Sequence, residues 1–138
     1  MLSLILVVSQ VVRPALLVGD WQGWWIVGGY VQGLKPSGMK ADLRLRKDGR
    51  FEYRMSSRVM TNVDAAMDGK YQVKGRTLTL RGLSKARLDD GYRKWMVNGP
   101  KTMVFEITKE GLLQKDGRPD GMAFYFRRKG EGPPKKRR

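Results

Sequence analysis

The sequence predicts an all-β chain that closes into an antiparallel up-and-down barrel of eight or nine strands. Three observations carry that expectation. Apolar and polar residues alternate with a period of two through most of residues 41–128, as half-buried strands require. Glycine turn sequences separate the alternating runs, among them Lys47-Asp48-Gly49-Arg50, Lys74-Gly75 and Lys109-Glu110-Gly111. No strand run alternates with a helical one, which argues against a parallel α/β sheet. Consecutive hairpins in this number close most simply into a barrel, because closure leaves no exposed edge. A two-sheet β-sandwich is the competing architecture.

The 138 residues suit one domain. We divide them into an apolar leader (1–15), a barrel (16–129) and a basic disordered tail (130–138). Met1 to Val12 is almost wholly apolar and too short to span a bilayer as a helix. It reads as the apolar region of a secretory signal peptide, without a basic residue ahead of it or a small-x-small cleavage site. That reading implies export to a periplasm or the exterior. The other reading is an apolar strand or helix leading into the barrel. Arg13-Pro14 breaks regular structure in both cases.

Leu16 to Tyr30 reads as the first strand, organised around Gly19-Asp20-Trp21-Gln22-Gly23-Trp24-Trp25. Trp21, Trp25 and Val27 share one face; Trp24, Ile26 and Tyr30 share the other. Gly28-Gly29 permits a bend, and residues 33–40 read as loop. Ala41, Leu43 and Leu45 then alternate with Asp42, Arg44 and Arg46. Phe51, Tyr53 and Met55 alternate with Glu52, Arg54 and Ser56. Residues 58–68 are less regular, with Val63 to Asp68 compatible with one helical turn. Tyr71 and Val73 begin a short strand, and Thr77 to Arg81 form another. Residues 82–92 read as a polar loop. Tyr92 to Val97 reads as a strand closed by Asn98-Gly99-Pro100. Met103, Phe105 and Ile107 mark the next strand, Leu112 to Lys115 a short one, and Met122 to Arg128 the last.

Composition narrows function mainly by exclusion. The chain has no cysteine, hence no disulfide framework and no thiolate metal site. It has no histidine, which removes the commonest general base and metal ligand. The carboxylate pairs Asp89-Asp90 and Asp64 with Asp68 fall in loop-like segments without a histidine partner and read as solvated turn residues. Ser84-Lys85 and Ser56-Ser57 are weak candidates for a nucleophile site. No phosphate loop or dinucleotide fingerprint occurs. We therefore expect no enzyme, no metal and no cofactor.

Lys and Arg number 28 against 13 acidic residues, a formal charge of +15. Residues 127–138 hold seven basic residues and one Glu, so the remainder is still +9, from 21 basic and 12 acidic residues. Such a field favours acidic partners.

Gly19-Asp20-Trp21 resembles the Gly-x-Trp motif that opens the first strand of lipocalins and related calycin barrels. The order of parts is similar to small bacterial lipocalin-like domains over residues 16–128. The resemblance implies that Trp21 plugs the closed end of the barrel. It also implies that an arginine at the end of the last strand, Arg127 or Arg128 after Phe124-Tyr125-Phe126, packs over its ring. It further implies a non-catalytic protein that captures a small apolar or amphipathic ligand. The inward candidates for that ligand are Trp25, Tyr53, Met55, Tyr71, Met103, Phe105 and Phe124; packed core is the other reading of the same residues. The alternative function is binding of an anionic polymer, such as nucleic acid or polysaccharide, or of an anionic membrane surface. Arg44, Arg46, Arg54 and Arg81, on outward strand faces, would carry it. Arg87, Arg93, Lys94 and the tail Lys135 to Arg138 would add to the field. A solvated basic face is the other reading of that set.

Overall fold

A computed structural model of the chain describes residues 13–27, 30–33, 39–57, 63–88, 96–115 and 123–132. A 3-10 turn, Pro14–Leu17, precedes nine strands: β1 (Gly19–Val27), β2 (Tyr30–Gly33), β3 (Met39–Leu45), β4 (Arg50–Ser57), β5 (Val63–Lys74), β6 (Thr77–Leu88), β7 (Met96–Ile107), β8 (Leu112–Gln114) and β9 (Ala123–Arg128). All are antiparallel in one sheet that follows chain order. β1 and β9 pair from Trp21–Arg128 to Ile26–Ala123, so the sheet closes on itself. β2 and β3 lie end to end on the same edge of β1 and make one wall. The fold is therefore an eight-walled up-and-down barrel, and the sandwich alternative falls with the β1–β9 pairing.

Several local expectations need correction. The first strand begins at Gly19, because Pro14 starts a 3-10 turn that tucks Leu17 under the barrel. Val63 to Asp68 is strand, not helical turn, and residues 82–88 are strand, not loop: β5 and β6 pair continuously from Val63–Leu88 to Lys74–Thr77. Their polar residues alternate with small ones, and pairing with two neighbouring strands overrides weak β-propensity. Asn98-Gly99-Pro100 does not end a strand either. It lies inside β7, where the register with β6 shifts between Ser84 and Lys85. A bulge tolerates the missing N–H of Pro100. Residues 89–95, with Asp89, Asp90, Arg93 and Lys94, lie outside the described residues.

The hairpin β5–β6 shows how the sheet curves. Its two-residue turn, Gly75-Arg76, puts Gly75 at φ +61°, where L side chains are strained. Further along, Gly69 and Gly82 face each other. A Cβ on Gly69 would lie 2.1 Å from the Arg81 carbonyl oxygen, and one on Gly82 would lie 1.8 Å from that of Asp68. The two backbones approach closely only because both positions are glycine.

Inside, Leu43, Leu45, Phe51, Leu78, Leu80, Phe105 and Phe126 are essentially sealed from solvent. Phe126 is the hub, with ring centroids 5.6 Å from Phe105, 5.9 Å from Phe124 and 6.1 Å from Tyr53. Tilted and edge-on aromatic pairs at these distances add stabilisation beyond area burial.

The two ends of the barrel differ. The turns 46–49, 75–76 and 108–111 all lie at the end where β1 starts and β9 finishes, as the up-and-down order requires. The 3-10 turn caps that end. Trp21 Nε1 donates to the Leu17 carbonyl at 2.9 Å, so the buried indole N–H is satisfied.

Candidate functional site

Strand parity assigns each candidate side chain to the interior or the wall. Tyr53, Met103, Phe105 and Phe124 are buried within the core cluster, and Met55 and Tyr71 pack against it half-exposed. Trp25 stands opposite Phe124 on β9; its side chain lies outside the described residues. The described interior is thus filled by side chains touching one another. Tyr71 leaves the core at its rim, where its hydroxyl donates to the Arg46 carbonyl at 2.6 Å. Partial burial, and secondarily the charge of Asp48, raises the Tyr71 pKa above its ordinary 10.0.

At the capped end the two neighbouring arginines separate. The Arg128 guanidinium lies 4.2 Å above the Trp21 ring. Its Nη1 donates to the Val18 carbonyl at 2.7 Å and its Nη2 to that of Leu16. Arg127 points to the other face. It donates to the carbonyls of Glu110 and Gly132 and pairs with Glu131 at 2.8 Å.

On the outer wall, register sorts the cations into rows. Asp20, Arg44, Glu52 and Asp68 stand opposite one another in turn across β1, β3, β4 and β5. Arg44 Nε donates to Asp20 Oδ1 at 2.7 Å, and that hydrogen bond, reinforced by the same charge, raises the arginine pKa. Asp42 faces Arg54 in the next row. Asp64 and Arg87 pair at 2.9 Å, so Asp64 is held by a cation rather than poised beside Asp68. The first of these rows sets one cation against three carboxylates, and the other two each pair an aspartate with an arginine.

A fourth row is cationic. Arg46 opposes Arg50 through its N–H to the Arg50 carbonyl, Arg50 opposes Lys70, and Lys70 opposes Arg81. Four exposed cations thus stand side by side across β3, β4, β5 and β6, spanning about 14 Å at normal strand spacing. Arg46 has acidic neighbours, Asp48 at 3.7 Å and Glu52 at 3.6 Å. Arg50, Lys70 and Arg81 have no ion-pair partner among the described residues. Like charges directly opposite one another destabilise a sheet by a few tenths of a kcal/mol or more, so folding alone does not explain the row. A groove of about 320 Å³ borders it, lined by Arg46, Arg50, Arg54 and Lys85 together with the carboxylates Glu52 and Asp68.

Of the four wall arginines singled out in the sequence, the structure brings Arg46 and Arg81 into this row and places Arg44 and Arg54 in neighbouring rows. Arg50 and Lys70 escaped sequence reading, because Arg50 read as part of a turn and Lys70 followed a segment without clear alternation. A strand assignment for residues 63–70 would have exposed both.

No catalytic cluster emerges on the described wall. Among the described residues no group of three or more acidic side chains is gathered closely enough to hold a metal ion. Ser84 and Lys85 are successive strand residues and face opposite sides of the sheet; the side chain of Ser57, beside Ser56, lies outside the described residues. No protein-family model, curated protein or solved structure matches the chain.

Proposed function

We propose that this chain is a non-catalytic binding protein that engages a polyanion through the cation row Arg46–Arg50–Lys70–Arg81. The observation that carries this reading is the row itself: four adjacent like charges, three of them without an ion-pair partner among the described residues. A row of guanidinium and ammonium groups fits phosphate, sulfate or carboxylate groups repeated along a chain or surface. Capture of an apolar ligand inside the barrel is less favoured, because the described interior is occupied by its own side chains. Kinship with lipocalin-like barrels belongs to the same proposal. It is supported by Gly19-Asp20-Trp21 together with Arg128 over the indole.

The test is a comparison of Lys70→Glu with the parent protein. Glu at this position would face Arg50 on one side and Arg81 on the other. Unfolding in urea should show the variant more stable by about 0.5–1 kcal/mol. Affinity for a sulfated oligosaccharide or an oligonucleotide should fall by about tenfold at low salt, with a shallower salt dependence. Unchanged affinity in the stabilised variant would remove the row from function.

A further inference from the structure

We infer that the polyanion is duplex DNA, and that the β5–β6 hairpin bridges its major groove, with the cation row on one backbone and the hairpin tip on the other. The inference rests on the polyanion reading and adds the class of partner and the way it is held.

Charge on this hairpin is one-sided. Residues 69–88 hold six basic side chains and no acidic one. Outward positions on the two strands pair as Lys70–Arg81, Gln72–Thr79 and Lys74–Thr77, and the turn Gly75-Arg76 follows. The cations therefore form two lines. The first is the row itself; the second is Lys74 with Arg76 at the tip. Lys70, Lys74, Arg76 and Arg81 are all exposed, without an ion-pair partner among the described residues. Lys74 stands four strand residues beyond Lys70, which sets the two lines about 14 Å apart. Between them lie Gln72 and Thr79, uncharged, with side chains that make no hydrogen bond among the described residues. The neighbouring carboxylates stay outside this strip. Glu106, opposite Thr77, is held by Lys115 at 3.3 Å. Asp68 lies on the other side of the row, and Asp48 and Glu52 engage Arg46 at its end.

A B-form duplex offers the complement of this pattern. Two lines of phosphates flank a major groove about 12 Å wide, whose floor is uncharged and rich in hydrogen-bonding groups. The row follows one line, Lys74 and Arg76 reach the other, and Gln72 and Thr79 face the groove between. The hairpin is free to do this on its β4 side. The β4–β5 ladder ends at Arg50–Lys70, with one further bond from the Tyr71 N–H to the Gly49 carbonyl, and Gln72 to Lys74 run on past it. Other polyanions fit less of the surface. A single strand binds by stacking its bases on exposed aromatics, yet Tyr53 and Tyr71, the aromatics beside the row, pack on the core. A sulfated polysaccharide presents one line of charge, which fills the row and leaves the tip unused. A lipid face is charged throughout and gives the neutral strip no counterpart.

The experiment measures binding of the 138-residue chain across a salt series. The probes are a DNA duplex of about two helical turns, one of its strands alone, a sulfated oligosaccharide and phosphatidylglycerol vesicles. Lys74→Glu/Arg76→Glu changes the tip and Lys70→Glu the row. Lys40→Glu/Lys129→Glu, at exposed sites off the hairpin, matches the tip variant in net charge. The parent should bind the duplex about tenfold or more tightly than the single strand. The tip variant should lose about tenfold or more on the duplex, and its log–log salt slope should flatten by about two, one for each cation removed. On the single strand and the sulfated oligosaccharide it should change by about twofold or less, as should the charge-matched control on the duplex. Lys74→Gln/Arg76→Gln should show the same selective loss at about threefold, with the urea midpoint of the parent. Equal affinity for duplex and single strand would overturn the duplex assignment, as would a tip variant no weaker on the duplex than the control. Vesicle binding that depends on Lys70, with none to the duplex, would overturn it too and leave the cation row in place. Undiminished binding of every probe by Lys70→Glu would remove the polyanion reading, and the duplex with it.

Discussion

Arg128 does three things that no other residue at the capped end can do together. It covers the Trp21 ring, ties the last strand to the first, and satisfies carbonyls of Leu16 and Val18 where the entering chain has no ladder partner. Arg128→Ala should destabilise the barrel by about 2–4 kcal/mol in urea unfolding, combining a cation–π contact with charge-assisted hydrogen bonds. Arg128→Lys should recover less than half of that loss, since an ammonium cannot both stack flat and reach two carbonyls. Tyr71 makes a second prediction at this scale. Its pKa is raised in the folded state, so its contribution to stability is fully present below pH 10 and is lost as pH rises through the higher folded value. The phenolate also loses its bond to the Arg46 carbonyl. Alkaline unfolding should therefore begin at higher pH in Tyr71→Phe, at the expense of about 1 kcal/mol at neutral pH.

The strands of greatest consequence are β5 and β6, twelve residues each and paired along their whole length. Their outward positions carry Lys70 and Arg81 of the cation row, and their inward positions carry Met67, Leu78 and Leu80 of the core. The facing glycines Gly69 and Gly82 let the hairpin bend where the row crosses it. Gly82→Ala should cost about 2–3 kcal/mol, because the new Cβ meets backbone rather than a yielding side chain. It should also weaken polyanion binding more than an equally destabilising core change, such as Leu78→Ala, since it separates the two strands that hold Lys70 and Arg81. Differential scanning calorimetry paired with binding isotherms would check both parts. Sequence reading broke this hairpin into strand and loop, because Asp64, Ser84 and Lys85 look like loop residues in isolation. They are strand residues because β4 and β7 supply ladder partners on either side.

At the scale of the molecule, closure joins residues far apart in the chain. The hydrogen bond from Arg128 to Val18 spans 110 residues, and the whole β1–β9 ladder is of similar range. Non-local pairing of this kind predicts slow folding, in the millisecond-to-second range by stopped-flow fluorescence of the tryptophans. The first and last described segments, residues 13–18 and 129–132, both lie at the capped end. Removal of residues 133–138 should leave the urea midpoint unchanged. It should flatten the salt dependence of polyanion binding, because Lys135, Lys136, Arg137 and Arg138 no longer displace counterions.

The sequence by itself determined that the chain is all-β, where most strands and tight turns fall, and that the molecule is strongly basic. Each of these is a local property, legible from period-two alternation, from glycine turns and from a count of charges. Only the tertiary structure decided that Arg128 rather than Arg127 lies over Trp21, since that choice turns on which face of β9 meets the base. Only register showed that Arg46, Arg50, Lys70 and Arg81 are neighbours while Arg44 is held by Asp20. Cross-strand adjacency is a relation between positions distant in the chain, and alternation within one strand carries no information about it.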